Sequence, residues 1–276
     1  MQGFDPFMSN FCDLANQYLT TLPIFKSQGL LRLAINEREA GWLEPDTARV
    51  LTQLNPAFEM SESRVTLRAK PDTIEAQMSA AALHLREVGL IKVWRNECYA
   101  VHPQNAHGEP DLTCSLFKLE RGAFRRFGLT SQAAHINGIC TDGTLWIARR
   151  SSTKGIDPNR LDNLAAGGIP YNESPFDCAI RELAEEAGLS DFTKSQLQLT
   201  GQVHTRRNEI DGTHDEILHC YDLTLSPNVQ PVNQDGEVAE FLKLSPLEAA
   251  QRLSEMTWDA GLVTANYLLR QKPHIS

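Results

Sequence analysis

A chain of 276 residues, 41% hydrophobic and 22% charged, can bury a sizeable core as one large domain or as two modest ones. Its formal net charge of −9 is the wrong sign for a general nucleic-acid binder, and the basic residues form only short clusters, so DNA or RNA is not an expected partner.

The chain opens MQGFDPFMSNFCDL, with neither a basic n-region nor an apolar h-region, and no apolar run reaches bilayer length. A cytoplasmic location without a membrane partner is the expectation. Ser9 to Leu19 carries apolar positions at helical spacing, with Ser9 or Asn10 as the cap. Leu30 to Ile35 and Gly41 to Leu43 read as short strands around the turn Asn36-Glu37-Arg38-Glu39. Glu44-Pro45-Asp46 opens a helix through about Leu54, with Pro45 in the first turn. Phe58 to Leu67 reads as a hairpin, and Pro71 to Val88 as a helix ended by Gly89. Glu97 to Val101 and Leu112 to Leu119 are strand-like. The basic, turn-rich stretch from Arg121 to Gln132 marks a boundary. Beyond it, Ala134 to Cys140 and Thr144 to Arg150 flank Asp142-Gly143, a strong hairpin signal. A second hairpin around Asp211-Gly212 joins Leu197 to Arg206 with Glu216 to Leu225. Pro246 to Met256 and Ala260 to Arg270 read as closing helices. The six cysteines form no C-x-x-C pair and read as reduced, mostly buried thiols.

The chemistry concentrates in GGIPYNESPFDCAIRELAEEAGL, Gly167 to Leu189. Ser174 and Pro175 start a helix there, Asp177 suits its first turn, and Gly188 ends it. Glu182, Glu185 and Glu186, spaced by three and four, share one face. Cys178, Ala179, Leu183 and Ala187 form the apolar face that packs on a sheet. Three carboxylates so close repel one another, and a hard divalent cation with oxygen ligands relieves that repulsion; Mg²⁺ is expected, with Mn²⁺ as the alternative. Arg160 and Arg181 are further counter-charges. A plain solvated acidic face would not account for Gly167-Gly168, Glu173, Arg181 and Gly188 at these spacings.

This segment resembles the Nudix box, which reads Gly, five residues, Glu, seven residues, then Arg-Glu-aliphatic-any-Glu-Glu-any-Gly-aliphatic. Gly167, Glu173, Arg181, Glu182, Leu183, Glu185, Glu186, Gly188 and Leu189 fill every fixed position. The resemblance covers roughly residues 130 to 260. It implies an α+β chain in which a Nudix α/β/α sandwich around a mixed sheet (126–276) follows a small α+β N-terminal domain (1–125). It also implies hydrolysis of a diphosphate linkage. Glu182, Glu185 and Glu186 would bind metal, with the Gly167 carbonyl nearby. Glu173, Arg181 and Gly188 would hold the motif together. The general base is left open among the box glutamates Glu182, Glu185 and Glu186 and a later acid, for which Glu237 is the candidate; Glu237 reads equally as an ordinary loop acid.

HINGIC, LWIARRSSTK and LDNLAAGGIP are similar to a narrower Nudix subgroup, related to the Nudix portion attached to thiamine pyrophosphokinase in fungal fusion proteins. Its members carry an extension resembling residues 1 to about 125, including GWLEP and the stretch from Glu87 to Glu97. That subgroup implies damaged thiamine diphosphate analogues, the oxo and oxy forms, as substrates and their monophosphates as products. ADP-ribose, a dinucleotide or a nucleotide sugar is the alternative, and a non-catalytic ligand-sensing module the second. The extension's expected role is to form part of the pocket or to dimerise, the latter giving a homodimer. Arg149, Arg150, Lys154, Arg206 and Arg207 are the candidates for holding the small-molecule diphosphate, although each alone reads equally as a surface charge. Trp94, Trp146 and Tyr171 are candidate stacking platforms, whereas His135 and His204 read as structural.

Overall fold

The first strands are short and apolar, and they pair around a turn that Asn36 makes with φ 53°, a left-handed angle that asparagine tolerates. The computed structural model describes residues 8–271, with side chains from Phe11 onward. Helix α1 (Met8–Leu19) is already helical at the residues expected to cap it, Ser9 and Asn10. After it come β1 (Leu31–Ile35), β2 (Arg38–Leu43), α2 (Pro45–Leu54), β3 (Phe58–Met60) and β4 (Arg64–Leu67). The β3–β4 hairpin forms, and β4 runs parallel beside β1, giving the order β2-β1-β4-β3. A single 3-10 turn at Pro71–Thr73 leads into α3 (Ile74–Glu87), which ends where Gly89 takes φ 79°. Strands β5 (Cys98–Val101) and β6 (Phe117–Glu120) pair antiparallel. The expected strand start at Leu112 is instead a turn, because the Asp111 carboxylate accepts both the amide and the hydroxyl of Thr113.

The stretch read as a basic boundary contains a helical turn, α4 (Phe124–Phe127), ended by Gly128 at φ 59°. Phe124, Phe127 and Leu129 are buried with Leu33, Met78 and Leu85 in the first core. Three apolar residues among the arginines therefore tie this stretch to the N-terminal half.

The rest of the chain is β7 (Ser131–Cys140), β8 (Leu145–Arg150), β9 (Leu161–Asp162), β10 (Ala165–Gly168), α5 (Pro175–Ala187), β11 (Leu197–Glu209), β12 (Gly212–Leu225), β13 (Val238–Leu244), α6 (Pro246–Gln251) and α7 (Trp258–Arg270). The main sheet has the order β11-β12-β7-β8-β13, with β10 also pairing β7 and β9 pairing β8. β12 and β7 are parallel and the other pairs antiparallel, so the sheet is mixed. Both expected hairpins form. The turn of the second is Ile210-Asp211, and its strands are longer than the sequence indicated. The helix expected through Met256 stops at Gln251 and gives way to a 3-10 turn at Leu253–Glu255. Strand β13 was not foreseen.

Helix α5 covers one face of the sheet, burying Cys178, Ala179 and Leu183 against Ile136, Leu164 and Leu223. On the other face α6, α7 and α1 enclose Leu145, Ile147, Met256 and Leu268. The result is an α/β/α sandwich around a mixed sheet, preceded by a smaller α+β unit, as expected. Helix α1 sits on the sandwich: a Cβ on Gly261 of α7 would lie 2.1 Å from the Tyr18 hydroxyl of α1. All six cysteines are free. Cys140, Cys178 and Cys220 are buried, and the other three are partly exposed. No helix among the described residues is long and apolar enough to cross a membrane.

Candidate active site

Helix α5 begins where its sequence says it should. The Ser174 hydroxyl accepts the Asp177 amide at 3.1 Å, and Pro175 occupies the first position. It ends at Gly188, φ 65°. A Cβ there would lie 2.7 Å from the Val232 carbonyl, so only glycine lets the following loop close on the helix end. The Val232 and Gln234 amides donate to the Ala187 and Glu185 carbonyls at 2.8 and 3.2 Å. This seam carries Asp235 and Glu237 to the acidic face of α5.

On that face Arg181 grips Glu173 with two bonds of 2.9 Å, then reaches Glu182 at 2.6 Å and Glu185 at 3.0 Å. One guanidinium thus holds the loop acid and neutralises two of the three helix acids. Glu182 lies against Gly167, where a Cβ would sit 1.8 Å from its carboxylate oxygen. The Gly167 carbonyl, on the strand paired with β7 opposite Ala134, also accepts weakly from the Cys178 thiol at 3.6 Å. Burial pushes the Glu182 carboxyl above its ordinary range, with Arg181 opposing. Glu186 is 6% exposed and accepts the Ala166 amide at 2.9 Å. Burial pushes it up to about 8, with Lys154 opposing.

Carboxylate oxygens of Glu186, Asp235 and Glu237 lie within 4.8 Å of one another. The Lys154 ammonium sits 3.4 Å from Glu186 and also contacts Glu237. A buried acid this hard to ionise, next to further acids and a lone ammonium, calls for a cation. The donors are all oxygens, which fits a hard ion of the Mg²⁺ or Mn²⁺ kind.

Glu182, Glu185, Asp235 and Glu237 line a cleft of about 400 Å³, and Glu186 is not among its lining residues. Ala133, His135 and Glu216 supply the sheet side, and Thr257 and Asp259 the start of α7. Arg95, Glu97, Arg121 and Arg125 come from the N-terminal half. The two halves meet at the box itself. The Tyr171 amide donates to the Cys98 carbonyl at 2.8 Å, and a Cβ on Gly168 would lie 1.7 Å from the Tyr99 hydroxyl. The N-terminal half is therefore a wall of the cleft.

Of the five basic residues expected to hold phosphate, Arg150 and Lys154 line the cleft, and Arg149, Arg206 and Arg207 do not. Strand alternation explains Arg149, which turns to the other face and pairs with Glu240. Arg206 pairs with the buried Asp215 at 2.6 Å and anchors the Gly108 carbonyl. Arg207 is 4% exposed and locked onto Asp259 and Glu209. Even Arg150 is partly engaged, bonding Asp162 at 2.7 Å and the Ile156 and Asp157 carbonyls. Arg160 holds the Met256 and Ser254 carbonyls. None of the three aromatic candidates lines the cleft. Trp94 packs on the first core under Arg86, Trp146 is buried beneath Lys243, and Tyr171 lies beside Lys118. His135 and His204 are hydrogen-bonded, to Asn163 at 2.8 Å and Asp215 at 2.7 Å. Sequence reasoning missed Arg95, Arg121 and Arg125; the clustering of basic residues in RGAFRRFG was the available signal for the last two, and Arg95 had none.

The NUDIX domain model matches residues 132–266, and the model of a domain of unknown function (DUF4743) matches residues 10–131. Nudix hydrolase 24, chloroplastic, of Arabidopsis thaliana is 32% identical over 86% of this chain and 66% of its own length. Nudix hydrolase 20, chloroplastic, of the same plant is 32% identical over 82% of this chain and 58% of its own. The chain thus spans under two thirds of the length of these two relatives. An uncharacterized protein of Saccharomyces cerevisiae is 30% identical over 98% of this chain and 83% of its own length. With an intact box on the helix of an α/β/α sandwich, and with these relatives, the chain belongs to the Nudix hydrolase family and carries its Nudix domain behind a DUF4743 domain.

Proposed function

We propose that this protein hydrolyses the diphosphate linkage of a small metabolite with the help of Mg²⁺ or Mn²⁺. One observation carries the reading: Glu186 converges with Asp235 and Glu237, and Glu182, Glu185, Asp235 and Glu237 line a cleft that Arg95, Arg121 and Arg125 also line. Diphosphates resist attack because their charge repels a nucleophile. Mg²⁺, when bound, neutralises that charge and acidifies water. Glu182, Glu185 and Glu186 would hold the ion, with the Gly167 carbonyl beside them. Arg181 and Glu173 keep the helix acids in place. Arg95, Arg121, Arg125 and Arg150 hold the phosphates, and Lys154 moves between Glu237 and the substrate. Glu237, half exposed on a loop stitched to the box helix, takes the proton from the attacking water. Such a base contributes a factor of about 10²–10⁴. A complete set of box acids favours catalysis over a sensing role.

For the substrate we favour damaged thiamine diphosphate analogues, the oxo and oxy forms, cut to monophosphates. The motifs HINGIC, LWIARRSSTK and LDNLAAGGIP support this reading, and a cleft of about 400 Å³ is of a size that takes a small ligand. The test is a panel of thiamine diphosphate, its oxo and oxy analogues, ADP-ribose, NADH and a nucleoside triphosphate with Mg²⁺. The analogues should be turned over preferentially. Preference for ADP-ribose or NADH would overturn the substrate and leave the reaction standing.

A further inference from the structure

On β12, His214 and Glu216 stand two residues apart, so both side chains leave the same face of the strand. Asp259 meets them from the first turn of α7, whose start is fixed by the Thr257 hydroxyl accepting the Ala260 amide. One ligand-bearing atom from each of the three lies within 4.8 Å of the others. The His214 ring nitrogen Nε2 is 3.4 Å from an Asp259 oxygen and 3.6 Å from a Glu216 oxygen. His214 is 8% exposed, and this nitrogen is buried without a hydrogen-bond partner.

A ring nitrogen aimed at two carboxylates needs something positive between them. A proton would serve if the atoms closed to about 2.7–2.9 Å, the usual length of a charge-assisted bond. They do not. Ligands held about 2.1 Å from one tetrahedral ion are separated by about 3.4 Å, which is the spacing found. Both acids are also oriented from behind. The Ser131 hydroxyl donates to Glu216 at 2.8 Å, and Arg207 donates to Asp259 at 2.7 and 3.1 Å.

We propose that His214, Glu216 and Asp259 bind a Zn²⁺ ion at a site separate from the box acids. One imidazole and two carboxylates suit zinc, and three protein ligands leave a fourth position. Glu216 and Asp259 line the cleft, so that position opens onto it. A substrate oxygen or nitrogen could take it. The proposal stands whether or not the box acids catalyse hydrolysis.

The test uses Co²⁺ as a probe on the chelator-stripped full chain, because a four-coordinate site gives an intense visible band and a six-coordinate oxygen site a faint one. The intense band should saturate at one equivalent in the wild type and in Glu185→Gln, and one equivalent of Zn²⁺ should abolish it. It should be lost in His214→Asn and in Glu216→Gln, with circular dichroism showing which variants remain folded. Ring-nitrogen NMR of the wild type gives a check that needs no variant: the His214 Nε2 resonance should shift on adding Zn²⁺. A missing band, a band that survives in folded His214→Asn, or a His214 ring protonated on both nitrogens and indifferent to Zn²⁺ would each overturn the proposal.

Discussion

Replacing Glu186 with glutamine should stabilise the metal-free protein while blunting its response to metal. Glu186 is 6% exposed, and its visible partners are the Ala166 amide at 2.9 Å and Lys154 at 3.4 Å. Burial raises its carboxyl from an ordinary 4.5 to about 8. Because the folded value is the higher one, this group's contribution to stability is complete below pH 4.5 and is lost as pH rises towards 8. The loss relative to low pH is about 1 kcal/mol at pH 5 and about 3 kcal/mol at pH 7. Glutamine keeps the shape and the acceptor for Ala166 without the charge. The variant should therefore gain about 3 kcal/mol at pH 7, or about 6 °C in melting temperature for a chain of this size. Thermal melts in a chelator at pH 5 and 7 measure that difference directly. Adding Mg²⁺ should then stabilise the wild type more as pH rises, since the ion needs the ionised acid, and should stabilise the variant much less. A variant less stable than wild type at pH 7 without metal, or equal to it at both pH values, would refute the reasoning.

Three other perturbations follow from the geometry. Glu237→Gln should lower kcat about 10²–10⁴-fold with an unchanged melting temperature; a loss below tenfold would remove it as the base. Arg95→Ala, which takes one guanidinium from the N-terminal wall, should raise KM about ten- to a hundredfold with a smaller change in kcat, and an unaltered KM would take that wall out of substrate binding. Gly168→Ala forces a Cβ to 1.7 Å from the Tyr99 hydroxyl, so it should cost about 1–3 kcal/mol in urea unfolding. The cost should shrink in a Tyr99→Phe background, and purely additive effects would mean that the two do not meet.

The box was legible because its chemistry is local. Glu182, Glu185 and Glu186 share a face through helical spacing alone, and Ser174 and Gly188 mark the helix ends by their own chain geometry. Both hairpins announced themselves by Asp-Gly pairs. Strand β13 was harder to read: Asp235-Gly236 stands just before it, but Ala239, Glu240 and Lys243 are exposed between buried Val238 and Leu244, so the strand shows no regular alternation. The cleft's arginines were harder to place than the box. Arg95 lies in a loop and Arg121 in a 3-10 turn, and both reach the box only because β5 docks on Gly168. Arg149 and Arg150 are neighbours in sequence, yet strand alternation sends one to Glu240 and the other to the cleft. Arg206 and Arg207 were misjudged for a related reason. Basic residues on a long strand look free until the buried Asp215, across the same hairpin, and Asp259, from the start of α7, claim them.

The central claim is that the box acids direct water onto a phosphorus of a diphosphate. The most direct measurement is turnover of the preferred panel substrate in ¹⁸O-water with Mg²⁺, wild type against Glu185→Gln, with products resolved by mass. The account predicts one ¹⁸O per turnover on a single phosphate product, with the rate falling at least a hundredfold in the variant and to background in chelator. Turnover without ¹⁸O in a phosphate, or an undiminished rate in Glu185→Gln, would contradict it.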